Sequence, residues 1–206
     1  FEPGSTMKPF TVGLALESGL VTPKTPVQTA PGYVVIGGRK ISDSHPHGVL
    51  TVQEVIQKSS NVGTVKMAMQ MPARDMWELY SAAGFGQKPQ VPFPGAVTGR
   101  LRPYKTWRPI EQATMSYGYG LSVTAVQLAH AYAALGNGGG MVPLSMIRVD
   151  STPGSMQVVP PRQIPPLPCT GSSGSGLTVC QVLPPSLEWR RRIAGRRGTR
   201  AAGHRG

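Results

Sequence analysis

The sequence predicts a mainly α-helical unit over residues 1–150 and a tail with no fold over residues 151–206. Three observations carry that prediction. Thr51-Val52-Gln53-Glu54 and Thr124-Ala125-Val126-Gln127 are capping boxes, each opening an apolar run. Such a box satisfies, reciprocally, two of the backbone N–H groups that a helix start leaves over. Only one stretch, Tyr33-Val34-Val35-Ile36, reads as a strand. After Asp150 there is no Lys, Asp, Asn, Phe or Tyr; Pro, Arg, Gly and Ser dominate and no apolar period survives. That is the composition of a disordered segment.

Residues 5–19 read as a helix. Ser5 can cap it, Pro9 falls in the first turn where its missing N–H does least harm, and Gly19 supplies the stop. Phe10, Leu14 and Leu16 are its apolar contacts. Residues 20–50, rich in Pro, Gly and Thr, read as irregular around the one strand. The helix opened by Thr51 places Val52, Val55 and Ile56 on its apolar side. Ser59-Ser60-Asn61 marks a break, and a second helix runs through Val62, Val65 and Met69 to Met71. Pro72 opens the next at its first position, with Met76, Trp77, Leu79 and Tyr80 buried and Gly84 at its end. Residues 84–110 carry Pro89, Pro92, Pro94, Pro103 and Pro109 and read as a long loop, of the kind that is functional or disordered. The helix opened by Thr124 runs through Leu128, Tyr132 and Leu135 until Gly136-Asn137-Gly138-Gly139-Gly140 stops it.

A chain of 206 residues can bury one real core. Its net charge of +12 points to an anionic partner. The tail, however, holds eight arginines against one glutamate, so more than half of that excess lies outside the folded unit. Cys169 and Cys180 both lie in the tail. Residues 1–150 have no cysteine, which fits an exported or envelope domain and many cytosolic ones equally. Neither a signal peptide nor an apolar run long enough to span a bilayer is legible. The first residue is Phe1 rather than Met, which leads to the expectation of a piece of a longer protein. The tail also has the composition of a shifted reading frame of a GC-rich gene, which resequencing of the coding DNA would test.

The chemistry begins at Ser5-Thr6-Met7-Lys8. A Ser and a Lys three residues apart share one helix face, one turn apart. An amine then sits beside a hydroxyl, which can activate a serine without a histidine. Taken alone, Ser-x-x-Lys arises by chance roughly once in a chain of this size, with Ser5 a cap and Lys8 a solvated lysine. Ser59-Ser60-Asn61 alone reads as a polar, helix-breaking turn. His45-Pro46-His47 has no third ligand and reads as loop. Met67, Met69 and Met71 read as core filling. Trp107, among Arg102, Tyr104, Lys105 and Arg108, has the composition of a nucleic-acid surface but reads better as a solvated loop. Nucleic-acid binding is the non-enzyme alternative, driven by charge.

Three words change the weighing: Glu2-Pro3-Gly4-Ser5-Thr6-Met7-Lys8-Pro9-Phe10, Gln57-Lys58-Ser59-Ser60-Asn61-Val62-Gly63, and Ser116-Tyr117-Gly118-Tyr119-Gly120 followed by Gln127-Leu128-Ala129. In order, spacing and wording they resemble the penicillin-binding transpeptidases. The nearest type is the class B, cell-division type, over residues 1 to about 150. The resemblance implies an α+β parent fold, shared with serine β-lactamases, in which helices enclose a five-stranded antiparallel sheet. In that fold the first strands precede the nucleophile helix and the rest begin at a third motif. The implied content of residues 1–150 is therefore mainly α-helical, with most of the sheet missing and an apolar helix left facing water.

The resemblance also implies roles. Ser5 is the acylated nucleophile. Lys8, as a neutral amine, takes its proton, with a pKa lowered by burial and nearby positive charge. Ser59 relays the proton to the leaving amine. Asn61 holds the substrate backbone and the Lys8 head. The Ser5 N–H is one oxyanion donor. The third motif, Lys-Ser/Thr-Gly, is absent as written, because no Lys follows Lys105. Its nearest trace is Ala194-Gly195-Arg196-Arg197-Gly198-Thr199. There Arg196, Gly198 and Thr199 would be degraded substrate-binding positions, and Arg197 stands where a small hydroxyl belongs. A solvated basic tail is the plainer reading of these arginines.

The implied activity is peptidoglycan D,D-transpeptidation in septal wall synthesis. The donor is a D-Ala–D-Ala stem peptide, the acceptor an amine, and β-lactams are inhibitors. Neither metal nor organic cofactor is implied. A membrane anchor, a periplasmic catalytic domain and division-complex partners belong to the family. A D,D-carboxypeptidase or serine β-lactamase would share Ser5, Lys8, Ser59 and Asn61 but pass the acyl group to water. For this chain, with its sheet missing, the expectation is little or no transpeptidase activity.

Overall fold

The computed structural model describes residues 1–91 and 93–145. A 3-10 turn over Gly4–Met7 leads into helix α1 (Lys8–Glu17), with Pro9 in its first turn. Ser5 does not cap this helix. It lies inside the 3-10 turn, which starts one residue earlier because Gly4 adopts φ +58, and no side chain caps the turn. At the other end Gly19 (φ +66) does supply the stop: its N–H reaches Leu16 O at 3.0 Å, and Leu20 N–H reaches Ala15 O at 3.0 Å.

Two antiparallel ribbons follow. Strand β1 (Pro26–Gln28) pairs with β4 (Val49–Thr51), setting Val27 against Leu50. Strand β2 (Tyr33–Ile36) pairs with β3 (Arg39–Ser42), setting Val34 against Ile41. The β2–β3 turn uses Gly37 and Gly38 at φ +55 and +76, the conformation a two-residue hairpin favours. Only β2 is legible from residue type; β1 opens on Pro26, β3 carries Arg39 and Lys40, and β4 is only three residues long. No strand pairing joins the two ribbons among the described residues.

Helix α2 (Val52–Gln57) starts at its capping box. Thr51 Oγ1 accepts from Glu54 N–H at 3.2 Å, and the Glu54 carboxylate accepts from Thr51 N–H at 2.8 Å. Val52 and Val55 are buried, but Ile56 is exposed, so the apolar side is narrower than the residue types imply. Helices α3 (Asn61–Ala68) and α4 (Ala73–Ala82) follow, with Pro72 as the N-cap of α4 rather than its first residue. The long loop ends early. A 3-10 turn (Tyr104–Thr106) precedes α5 (Pro109–Met115), which the loop reading misses because Pro109 acts there as a helix opener. Helix α6 (Ala125–Gly136) begins at the Thr124/Gln127 box.

The core is arranged around α1, whose Phe10, Thr11, Val12, Gly13, Leu14 and Ala15 are all buried. Phe10 stands edge-on to Phe85 (5.4 Å) and Tyr132 (5.5 Å). Tyr80, fully buried, bonds Thr11 Oγ1 at 2.6 Å. Among the described residues the apolar helix face left exposed is that of α6, at Val126 and Tyr132. Trp77 is half-buried rather than core, and its indole N–H is buried without an acceptor. Trp107 is not simply a solvated loop residue: it packs on the edge of the core and donates Nε1–H to Arg102 O at 3.0 Å. Nor is its basic neighbourhood a free cationic patch, since Arg102 and Arg108 both pair with Glu111, at 2.7 and 3.4 Å. Met67 and Met71 fill the core. The tail, with Cys169, Cys180, Arg196, Gly198 and Thr199, lies outside the described residues.

Truncating Phe10 to Ala removes the ring that α1, Phe85 and Tyr132 share. The expected cost is about 3–5 kcal/mol, read as a lowered urea midpoint with the slope of the transition retained.

Candidate active site

Lys8 is the first residue of α1 and is buried. Its Nζ donates to the Ser59 carbonyl and, at 2.9 Å, to Ser59 Oγ. Burial removes water from the ammonium and lowers its pKa to about 8, while the Asp43 carboxylate pulls the other way. The expected positive neighbour is thus replaced by a negative one, and desolvation outweighs it in bringing the amine down to about 8. The folded chain binds this proton more weakly than the unfolded chain. Lys8 therefore works against stability below about pH 8, and the penalty is relieved as pH rises from about 8 towards 10.5.

Ser59 has φ +54, the single non-glycine in the left-handed region among the described residues. A backbone held there against its preference needs a surrounding structure that over-determines it. Ser60 N–H bonds Val55 O at 2.9 Å, closing the turn after α2. Ser60 caps α3, its Oγ accepting from Gly63 N–H at 2.9 Å. The Asp43 carboxylate, just past β3, accepts from Ser60 Oγ at 2.7 Å and from Val62 N–H at 2.9 Å. Gly63 packs so closely on α2 that a Cβ there would lie 2.5 Å from Val55 Cγ2. The Asn61 amide does not hold the Lys8 head. It donates to Ser42 O at 2.9 Å, because the Asp43–Ser60 contact draws the start of α3 towards the end of β3.

Ser5 is exposed, and its hydroxyl has no hydrogen-bond partner among the described residues. Its N–H is one of the first of the turn, which have no acceptor within it. Lys8 follows one turn later on the same stretch but gives its hydrogen bonds to Ser59, not to Ser5. Lys8 and Ser59 are thus brought together directly, and Ser5 joins them through the helix start.

The Ser5 turn is itself held by the Tyr117-Gly118-Tyr119-Gly120 word, for which residue types suggest only packing and a turn. Gly4 N–H donates to Gly118 O at 3.0 Å. Gly118 has φ +90, and a Cβ there would sit 2.0 Å from Gly4 O. Gly120 N–H donates to the Glu2 carboxylate at 2.9 Å, and Tyr132 OH donates to Thr6 O at 2.8 Å. Two glycines spaced by an aromatic are the available signal. Asp43 leaves none, since a lone acid after a strand is commonplace.

Residues 1–165 match the family model described as the penicillin-binding protein transpeptidase domain. The chain belongs to this transpeptidase family. It is 41% identical over 158 residues to the probable peptidoglycan D,D-transpeptidase PenA of Neisseria flavescens, covering 77% of this chain and 39% of that one. It is 42% identical over 150 residues to the peptidoglycan D,D-transpeptidase FtsI of Escherichia coli K12, covering 73% of this chain and 25% of that one. The transpeptidase domain of Burkholderia pseudomallei penicillin-binding protein 3 superposes with a TM-score of 0.71 at 55% identity, covering 73% of this chain and 46% of that one. A crystal structure described as a peptidoglycan glycosyltransferase from Burkholderia ambifaria gives the same TM-score at 56% identity, over 73% of this chain and 48% of that one. The chain thus spans well under half of these curated relatives. Its transpeptidase match runs past the composition change near residue 150.

Gly118→Ala tests the cradle of the Ser5 turn. A methyl at φ +90 against Gly4 is expected to cost at least about 2 kcal/mol and to abolish labelling of Ser5 by a fluorescent penicillin, measured by thermal unfolding and gel fluorescence.

Proposed function

We propose that this chain carries the acylation centre of a serine-type peptidoglycan D,D-transpeptidase. The observation that supports it most is a buried amine bonded to a strained serine, one helical turn from an exposed serine whose hydroxyl has no partner among the described residues. In this reading Ser5 Oγ attacks the D-Ala–D-Ala peptide carbonyl and its proton passes to neutral Lys8 Nζ. Ser59, bonded to Lys8, hands a proton to the departing amine of D-Ala. The ester on Ser5 is then taken by an acceptor amine on a neighbouring strand, which forms the crosslink and frees the serine. A β-lactam ring opens on the same serine and stays there. Asn61 contributes a side-chain amide to the substrate backbone, and the Ser5 N–H is one oxyanion donor.

Septal wall synthesis, a membrane anchor, a periplasmic catalytic domain and division-complex partners belong to the same proposal. None of the described helices is long and apolar enough to cross a membrane. Arg196, Gly198 and Thr199 remain candidates for the carboxylate-binding motif. In the family a strand N–H at the Lys-Ser/Thr-Gly motif completes the oxyanion hole; that motif is absent as written. Losing one such donor costs about 10²–10³ in rate, so acylation by this chain is expected to be slow.

Intact-mass analysis after incubation with a β-lactam tests the reading. A slow adduct mapped to Ser5 is expected, absent in Ser5→Ala and at least about 100-fold slower in Lys8→Ala. Its rate should rise with pH through about 8, as Lys8 loses its proton. A helical chain, verified by circular dichroism, that never gains an adduct at Ser5 would overturn the assignment.

A further inference from the structure

We propose that Asp43 is a positioning residue that holds the Ser59 turn against Lys8 and, from beyond contact, favours the charge Lys8 acquires. The inference rests on the transpeptidase reading and deepens it. A catalytic base is ordinarily oriented by a third group that also stabilises the charge it acquires. Lys8 is held by Ser59, and the turn that carries Ser59 is held by Asp43 through Ser60 and Val62. The carboxylate fixes Ser60 Oγ at 2.7 Å and Val62 N–H at 2.9 Å, on either side of Asn61. Those two bonds clamp the turn on which Ser59 sits at φ +54. Lys8 in turn bonds the carbonyl and the hydroxyl of that same residue.

The charge matters separately from the clamp. When Ser5 attacks, its O–H bond breaks, the oxygen pair forms the ester bond, and the proton takes up the lone pair of Lys8 Nζ. A buried ammonium results. Burial opposes that charge, and among the described residues the Asp43 carboxylate favours it. The hydrogen bonds of Lys8 itself go to the carbonyl and hydroxyl of Ser59. Asp43 therefore acts on the step that makes the ammonium, without touching substrate.

Asn at position 43 separates the two roles. Its carbonyl can accept from Val62 N–H and its amide can donate to Ser60 Oγ, so the clamp survives without the charge. Two measurements on the full 206-residue chain decide the matter. In lysine labelled with ¹³C at Cε, with Lys8→Arg used to assign the signal, the Lys8 titration midpoint should fall by about one pH unit in Asp43→Asn and recover in Asp43→Glu. In β-lactam acylation of Ser5 by mass spectrometry, the ratio of the rate at pH 9 to that at pH 7 should shrink by about fivefold in Asp43→Asn. That is the change expected when the midpoint of the base moves from about 8 to about 7. Asp43→Ala, which loses clamp and charge together, should also lose the rate at pH 9. A merely structural residue would lower both rates alike and leave the midpoint of Lys8 where it was; that result overturns the assignment. An adduct that forms normally beside an unmoved midpoint counts against Asp43 alone. No adduct in any variant overturns the transpeptidase reading and this inference with it.

Discussion

The arrangement depends on one contact, the buried Lys8 amine lying against the carbonyl and hydroxyl of Ser59. An amine taken out of water must either meet oxygens or give up its proton, and here both tendencies operate. The oxygens keep Lys8 in place, and the loss of water brings its proton within reach of neutral pH. A solvated lysine at the same position would stay protonated and serve no purpose as a base. In the proposed reading, enclosure of α1 by α2, α3 and α4 is therefore as much a part of the chemistry as the side chains themselves.

Around this contact the fold works through close backbone approaches rather than through long side-chain networks. Gly118 lets the segment after α5 lie on Gly4, and Gly63 lets α3 lie on α2. Each contact fixes one of the two turns that carry Ser5 and Ser59. Thr11, one turn beyond Lys8, donates to Ser116 O at 2.7 Å and joins Tyr80, so α1 is also anchored to the end of α5 by buried hydrogen bonds. These bonds lie in dry surroundings, where a polar group left unpaired is expensive.

Much of this was legible in the residues, and the exceptions have physical causes. The capping boxes at Thr51 and Thr124 located two helix starts, because a reciprocal pair leaves its mark in sequence. The break at Ser59-Ser60-Asn61 was legible from polar, cap-forming residues in an apolar run. Ser5 as a cap was not correct, because Gly4 opens a 3-10 turn that draws Ser5 inside. Helix α5 hid behind Pro109, one of five prolines that together suggested loop. The short strands hid because three residues cannot establish an alternation. Family resemblance brought Ser5, Lys8, Ser59 and Asn61 into view, but not the partner of Asn61, nor the glycine cradle, nor Asp43. Those depend on contacts between segments far apart in the chain.

The left-handed backbone of Ser59 has a consequence for how this position can vary. Glycine would sit there in comfort and asparagine nearly so, whereas a β-branched residue would be worse off than serine. Conformation alone would therefore drift away from a hydroxyl at this spot. What the serine adds there, and glycine could not, is the hydroxyl that Lys8 bonds at 2.9 Å.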